Sequence, residues 1–195
     1  MQSNAQALSW PGRLGPVLEE HRLLIRTARE KAEDALRLRR ERFVEELAAI
    51  KKQVGECRDL GDVDEIPRYV KKAQGLQARL DAAVTTIEEF NKEEEAFEWE
   101  LTQYPLRHRL VQDLEPFLKL YEAIDSFRRQ HAAWMDGPFL EINPEVVEND
   151  AGTIWRTLYK LEKTFSEQAA PREMAVTVKA ELDDFKENIP LIQVR

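Results

Sequence analysis

The sequence predicts an all-α protein, an elongated array of long helices, and three observations carry that reading. Only 7 of 195 residues are Gly and 9 are Pro, so the chain has few breaks. Charged residues make up 34% and hydrophobic ones 43%, which suits helices with one apolar stripe better than a β architecture. Apolar residues then recur at helical spacing over tens of residues, in one place as a two-sided heptad seam. At this length the chain could bury one substantial core or form an array with none.

Residues 1–16, with Trp10-Pro11-Gly12 and Gly15-Pro16, are read as a disordered or extended N-terminus. No Gly follows until Gly55 and no Pro until Pro67. Leu18, Ile25, Leu36, Phe43, Leu47, Ile50 and Val54 fall on one side of a helix over about 17–54. The step from Ile25 to Leu36 spans eleven residues, a stutter that relaxes left-handed supercoiling. Gly55 to Pro67 reads as a connection and the start of the next helix.

The second helix carries the clearest period. Ile66, Ala73, Leu80, Ile87 and Leu101 form one seven-residue series, broken by Glu94, and Tyr69, Leu76, Ala83, Phe90 and Phe97 form the other. Together they predict an a/d seam of about five heptads, roughly 50 Å of helix. Such a seam needs a partner, and the adjacent first helix supplies one more cheaply than a second chain does. An antiparallel hairpin over 17–101 is therefore expected.

Tyr104-Pro105 is expected to end that helix, because the residue before Pro is pushed out of the helical region. Leu106, Leu110, Leu114, Phe117, Leu118, Tyr121, Ile124 and Trp134 mark a third helical stretch, which Pro116 should kink or split. Gly137-Pro138 stops it. Asn143-Pro144-Glu145 reads as an N-cap with Pro at the first helical position, opening a fourth helix through Val147, Ile154, Leu158, Leu161 and Phe165. Ala170-Pro171 opens a fifth with Met174, Val178, Leu182 and Phe185, and Ile189-Pro190-Leu191-Ile192 is read as extended.

Several function classes find no support. The net charge of −8 argues against nucleic acid. Mean hydropathy is −0.56, and no run approaches the ~20 apolar residues of a membrane span. The N-terminal residues lack the basic and apolar regions of a secretory signal. Cys57 is the single cysteine, consistent with a reducing compartment and an inert thiol. Gly55 and Gly61 are one residue too far apart for a phosphate-binding loop, and Asp62 stands where Lys is required. His21, His108 and His131 lack companions at metal-ligand spacing, so neither cofactor nor metal is expected, and no catalytic constellation is found. The basic face containing Arg22, Arg37, Arg39, Arg40 and Arg42 interleaves with Glu30, Glu33, Asp34 and Glu41, as a solvated, salt-bridged helix face does; an acidic partner such as a microtubule surface is the alternative. Glu93-Glu94-Glu95 is read the same way. Trp99, Trp134 and Trp155 are read as core anchors.

One feature stands out from this plain helical pattern. Trp134-Met135-Asp136-Gly137-Pro138-Phe139 places aromatic residues on both sides of a Gly-Pro break, as a rigid elbow between helical blocks would, although a bland loop needs only the Gly-Pro. Lys160-Leu161-Glu162-Lys163-Thr164-Phe165 follows, and then Phe185-Lys186-Glu187-Asn188-Ile189-Pro190-Leu191-Ile192. In order and spacing these landmarks resemble the start of the linker region of dynein heavy chains of the axonemal kind, over roughly residues 90–192. The resemblance implies that 17–101 is the end of a tail and 102–195 the truncated start of a linker-like helical bundle. It marks Trp134, Gly137, Pro138, Phe139, Lys160, Phe165, Phe185, Lys186, Pro190 and Leu191 as family-like positions. In that family the chain continues into the rest of the linker and a AAA+ ring, so a fragment or short isoform is expected. The implied role is mechanical and non-catalytic, coupling the tail to a lever that moves as the ring hydrolyses ATP. Implied partners are the remaining heavy chain, intermediate or light chains and the microtubule-based axoneme, in the cytoplasm, cytoskeleton and cilium, with no nucleic acid or membrane. The rival reading is a stand-alone spectrin-like or coiled-coil scaffold.

Overall fold

A computed structural model describes residues 10–136 and 143–193. The described residues form five α-helices and two 3₁₀ turns, with no strand among them: α1 (Trp10–Glu56), α2 (Ile66–Ala96), α3 (Pro105–Asp136), α4 (Pro144–Thr164) and α5 (Ala169–Gln193). The all-α expectation therefore holds. Contacts sort the chain into two units. One joins residues up to Glu46 with Glu88–Thr102; the other joins Leu47–Ile87 with the chain from Gln103 onward.

In the first unit α1 and the end of α2 pack antiparallel. Phe43 meets Phe90 edge-on at 5.6 Å. Arg39 pairs with Glu93, Arg40 with Glu94, and Arg29 reaches the Phe97 carbonyl, so from Phe43–Phe90 to Arg29–Phe97 the partner number rises as the α1 number falls. Leu36 and Phe43 are buried as the period predicts. Leu18 and Ile25 are not: they are 54% and 60% exposed. The 88–102 stretch makes its farthest polar contact along α1 at Arg29, and the apolar stripe continues beyond that cover. Residues 10–16 are helical rather than extended, with Pro16 inside α1.

Helix α2 ends at Ala96, earlier than the seam suggests. The Trp99 N–H bonds the Glu94 carbonyl at 2.8 Å and the Glu98 N–H bonds that of Glu95 at 3.0 Å. This is the Schellman pattern, which needs a left-handed residue at Glu98, and its φ is 61°. Beyond this stop Phe97 is half-buried and Leu101 is 50% exposed, so neither extends the seam as core. The solvated reading of the acidic run also fails at its middle residue. Glu94 is fully buried, its carboxylate 3.2 Å from Arg40 Nε and accepting from the Thr102 N–H and hydroxyl at 2.7 Å.

In the second unit the end of α1 and the larger part of α2 supply Ile50, Val54, Ile66, Ala73 and Leu80 to a core shared with α3–α5. Tyr121 of α3 lies at its centre, fully buried. Its hydroxyl donates to the Cys57 carbonyl at 3.3 Å and its ring lies 5.4 Å from that of Tyr69. Burial pushes the Tyr121 hydroxyl well above its ordinary pKa and raises that of the Cys57 thiol, so both stay protonated, in keeping with an inert cysteine. Gly61 marks a close approach of the connection to α5, where an added Cβ would lie 3.1 Å from that of Ala170 and would press the two segments apart by a few tenths of an ångström. Pro116 sits inside α3 without splitting it. A single missing hydrogen bond is tolerated where Leu114, Phe117 and Leu120 hold both flanks in the core.

Candidate functional site

The family-like positions of the sequence fall on α3–α5, where the local rules act as expected at α4. Asn143 caps that helix by accepting from the Glu145 N–H at 3.0 Å, with Pro144 at its start. Alanine at 151 and leucines at 158 and 161 bury one face of α4. Phe165 closes it, its N–H bonding the Leu161 carbonyl at 2.9 Å. Its ring is buried and packs 5.0 Å from Phe117.

Trp134, near the end of α3, lies flat on Phe185 of α5, with ring centroids 5.2 Å apart and planes within 13°. Val147 of α4 completes this cluster, so one indole touches the helices on both sides of the 137–142 segment. His131 meets the same Phe185 edge-on at 5.1 Å and Phe127 at 5.4 Å. The result is a ladder of rings along α3 at positions 127, 131 and 134. Trp134 is half-buried, as are Trp99 and Trp155, so these indoles are boundary residues rather than deep anchors.

The next residue along α5 extends the contact to α4. Lys186 Nζ lies 5.1 Å from the centre of the Trp155 ring, which is stacked on Tyr159 at 5.5 Å. Lys179 lies over both rings and also pairs with Glu162, whose carboxyl it holds below the usual carboxylate range. Cations on aromatic faces thus line the α4–α5 seam.

Trp134 and Phe185 are therefore brought together, with Lys186 beside them. Phe165 serves a separate contact on α3. Lys160 is exposed on α4. Gly137, Pro138 and Phe139 lie outside the described residues. Pro190 and Leu191 are in helix, not extended, since α5 runs to Gln193; the pre-proline bias against helix at Ile189 is outweighed near the end of an already propagated helix. Their side chains lie outside the description. The sequence reading missed Phe127 and the stacking role of His131, although the spacing of 127, 131 and 134 places all three on one helix face. No cluster of metal-binding side chains occurs among the described residues.

Comparison with known proteins points to the same stretch. Residues 107–194 match the family described as dynein heavy chain, N-terminal region 2. The chain is 33% identical to human dynein axonemal heavy chain 12 over 162 residues, covering 83% of this chain and 5% of the relative. It is 33% identical to mouse dynein axonemal heavy chain 3 over 180 residues, 91% of this chain and 4% of the relative. Human dynein axonemal heavy chain 1 is 31% identical over 104 residues, 53% of this chain and 2% of its own length. The chain thus spans about a twentieth or less of the relatives it matches.

Proposed function

The chain belongs to the dynein heavy chain family, matching its N-terminal region, and on that premise we propose that it is a non-catalytic, force-bearing part of an axonemal motor. In this reading residues 17–101 are a helical hairpin at the end of the tail, and 102–195 begin the linker lever moved by a AAA+ ring elsewhere in the motor. The observation that carries it is the Trp134–Phe185 stack with Val147. It ties α3 to α4 and α5 across the segment that holds Gly137-Pro138. A lever transmits a stroke only if its joints resist rotation, and aromatic packing between helices supplies resistance that a bare loop lacks. The intended partners are the rest of the heavy chain, intermediate or light chains and the axoneme, in the cilium.

The test uses a full heavy chain carrying Trp134→Ala. Microtubule gliding speed should fall while basal ATP hydrolysis stays close to that of the parent. Unchanged speed per ATP consumed would remove the mechanical role from this joint.

A further inference from the structure

We propose that residues 97–102 form a two-state strap, held here as a turn by Glu94 and able to wind onto the end of α2 when Thr102 lets go. Nothing in Phe97-Glu98-Trp99-Glu100-Leu101-Thr102 forbids helix: the segment lacks Gly and Pro, and Glu and Leu are strong helix formers. The stop after Ala96 rests instead on a left-handed Glu98, with φ of 61°, where helix ends usually carry Gly. That stop leaves two apolar side chains short of cover. Phe97 is half-buried and Leu101 is 50% exposed, although both sit on the seven-residue series that buries Phe90 and Leu80 further back.

A wound strap has a place on α1. The antiparallel register that sets Phe43 against Phe90 and Arg40 against Glu94 places Leu36 opposite residue 97 and Ala32 opposite residue 101 of a continued α2. Ala32 is exposed, so that position is open to Leu101. Winding is opposed by the Glu94 carboxylate, which accepts from the Thr102 N–H and hydroxyl at 2.7 Å. Both bonds break in the wound state, because two turns of helix would set the two residues about 12 Å apart along the axis. The Arg37 guanidinium, 4.8 Å from the centre of the Trp99 ring, adds weight to the turn. Release need not orphan the buried charge. Arg40 now holds both partners, its Nε 3.2 Å from Glu94 and its Nη2 donating to the Thr102 hydroxyl at 2.7 Å. Freed from Thr102, the second arm can close a bidentate pair on the carboxylate. Glu94 is then satisfied in either state, as a bistable element requires. Winding takes up length between α2 and α3 without unfolding either helix.

The full 195-residue chain, labelled with ¹³C and ¹⁵N, reports the state of the strap through the ¹³Cα shifts of residues 97–102. The parent should show the turn. Glu94→Leu removes the acceptor and completes the apolar series from Ile66 to Leu101, so the strap should take helical shifts. Thr102→Val, a milder change of similar shape, removes one of the two bonds to Glu94. It should raise the population of a helical minor state about tenfold over the parent in saturation-transfer exchange, the equivalent of one hydrogen bond. Strap shifts that stay non-helical in a folded Glu94→Leu, or a helical minor state in Thr102→Val no larger than the parent's, overturn the proposal. If Glu94→Leu does not fold, the Thr102→Val measurement decides alone.

Discussion

Two half-buried tryptophans, one from each unit, are held by opposite chemistry. Trp99 in the first lies under the guanidinium of Arg37 at 4.8 Å, beside a buried carboxylate bonded to Arg40 and Thr102. Trp134 in the second lies on a phenyl ring, with an imidazole and a valine around the same cluster. The first arrangement is directional and depends on every polar partner being in place; the second is tolerant in angle and depends on area. Packing losses should therefore dominate one unit, and unsatisfied polar groups the other.

The largest expected effect falls in the aromatic unit. Phe165 is 1% exposed and packed against Phe117, so Phe165→Ala should cost about 3–5 kcal/mol in denaturant unfolding. Trp134→Ala should cost less, about 2–3 kcal/mol, because the ring is only half-buried. Trp134→Phe should recover most of that loss. If it recovers none, the indole is held by something other than stacking, and the comparison between the units breaks.

In the polar unit Glu94→Ala should cost about 1–3 kcal/mol, by stranding the Thr102 N–H and the part-buried Arg40. Hydrogen exchange should quicken at Thr102 and Trp99 in this variant and stay unchanged around Phe165. Equal loosening of both regions would mean that the two chemistries are not separable.

Legibility in the sequence followed the same divide. Buried positions such as Leu36, Leu80, Leu114 and Phe185 could be read because burial imposes a period. The Asn143-Pro144 start of α4 could be read because capping uses a local code. Glu94 could not. Within its heptad series it was a polar interruption, and the residues that make its burial tolerable, Arg40 and Thr102, are supplied by another helix and a later loop. The α2 terminus was hidden for a related reason, since its left-handed position carries Glu98 where Gly is the usual signal. At the candidate site, the resemblance located Trp134 and Phe185 but not their stacking, which depends on how α3 and α5 meet.

Acid should sharpen the contrast within the second unit's charged surface. The Lys72 ammonium bonded to Glu56, and that of Lys179 bonded to Glu162, hold both carboxyls below their ordinary value. A carboxylate depressed on folding stabilises the native state at any pH above its unfolded value, about 4.3 for Glu. That contribution is lost as pH falls through the lower folded value. Stability should thus fall on acidification below about pH 4.5, with a shallower slope in Lys179→Met. An unchanged slope would mean that the Glu162 pair contributes nothing in solution.

The smallest expected effect is a gain. Glu98 occupies the left-handed region, with φ of 61°, to complete the hydrogen bonds from its own N–H and that of Trp99 back to α2. A non-glycine residue there costs about 1–2 kcal/mol relative to right-handed backbone, and glycine removes most of that strain while adding entropy to the unfolded chain. Those opposing terms leave Glu98→Gly more stable by roughly 0.5–1 kcal/mol. The coulombic pull of Glu98 on Arg29 is lost in the same change, but both side chains are exposed and such pairs contribute little. Glu98→Ala separates the terms: it removes the carboxylate and keeps the strain, so it should be close to neutral. If Ala and Gly stabilise equally, relief of backbone strain is not the cause. The end of α2 would then be set by the Glu94 network, and the loop chemistry of the first unit would rest wholly on its buried carboxylate.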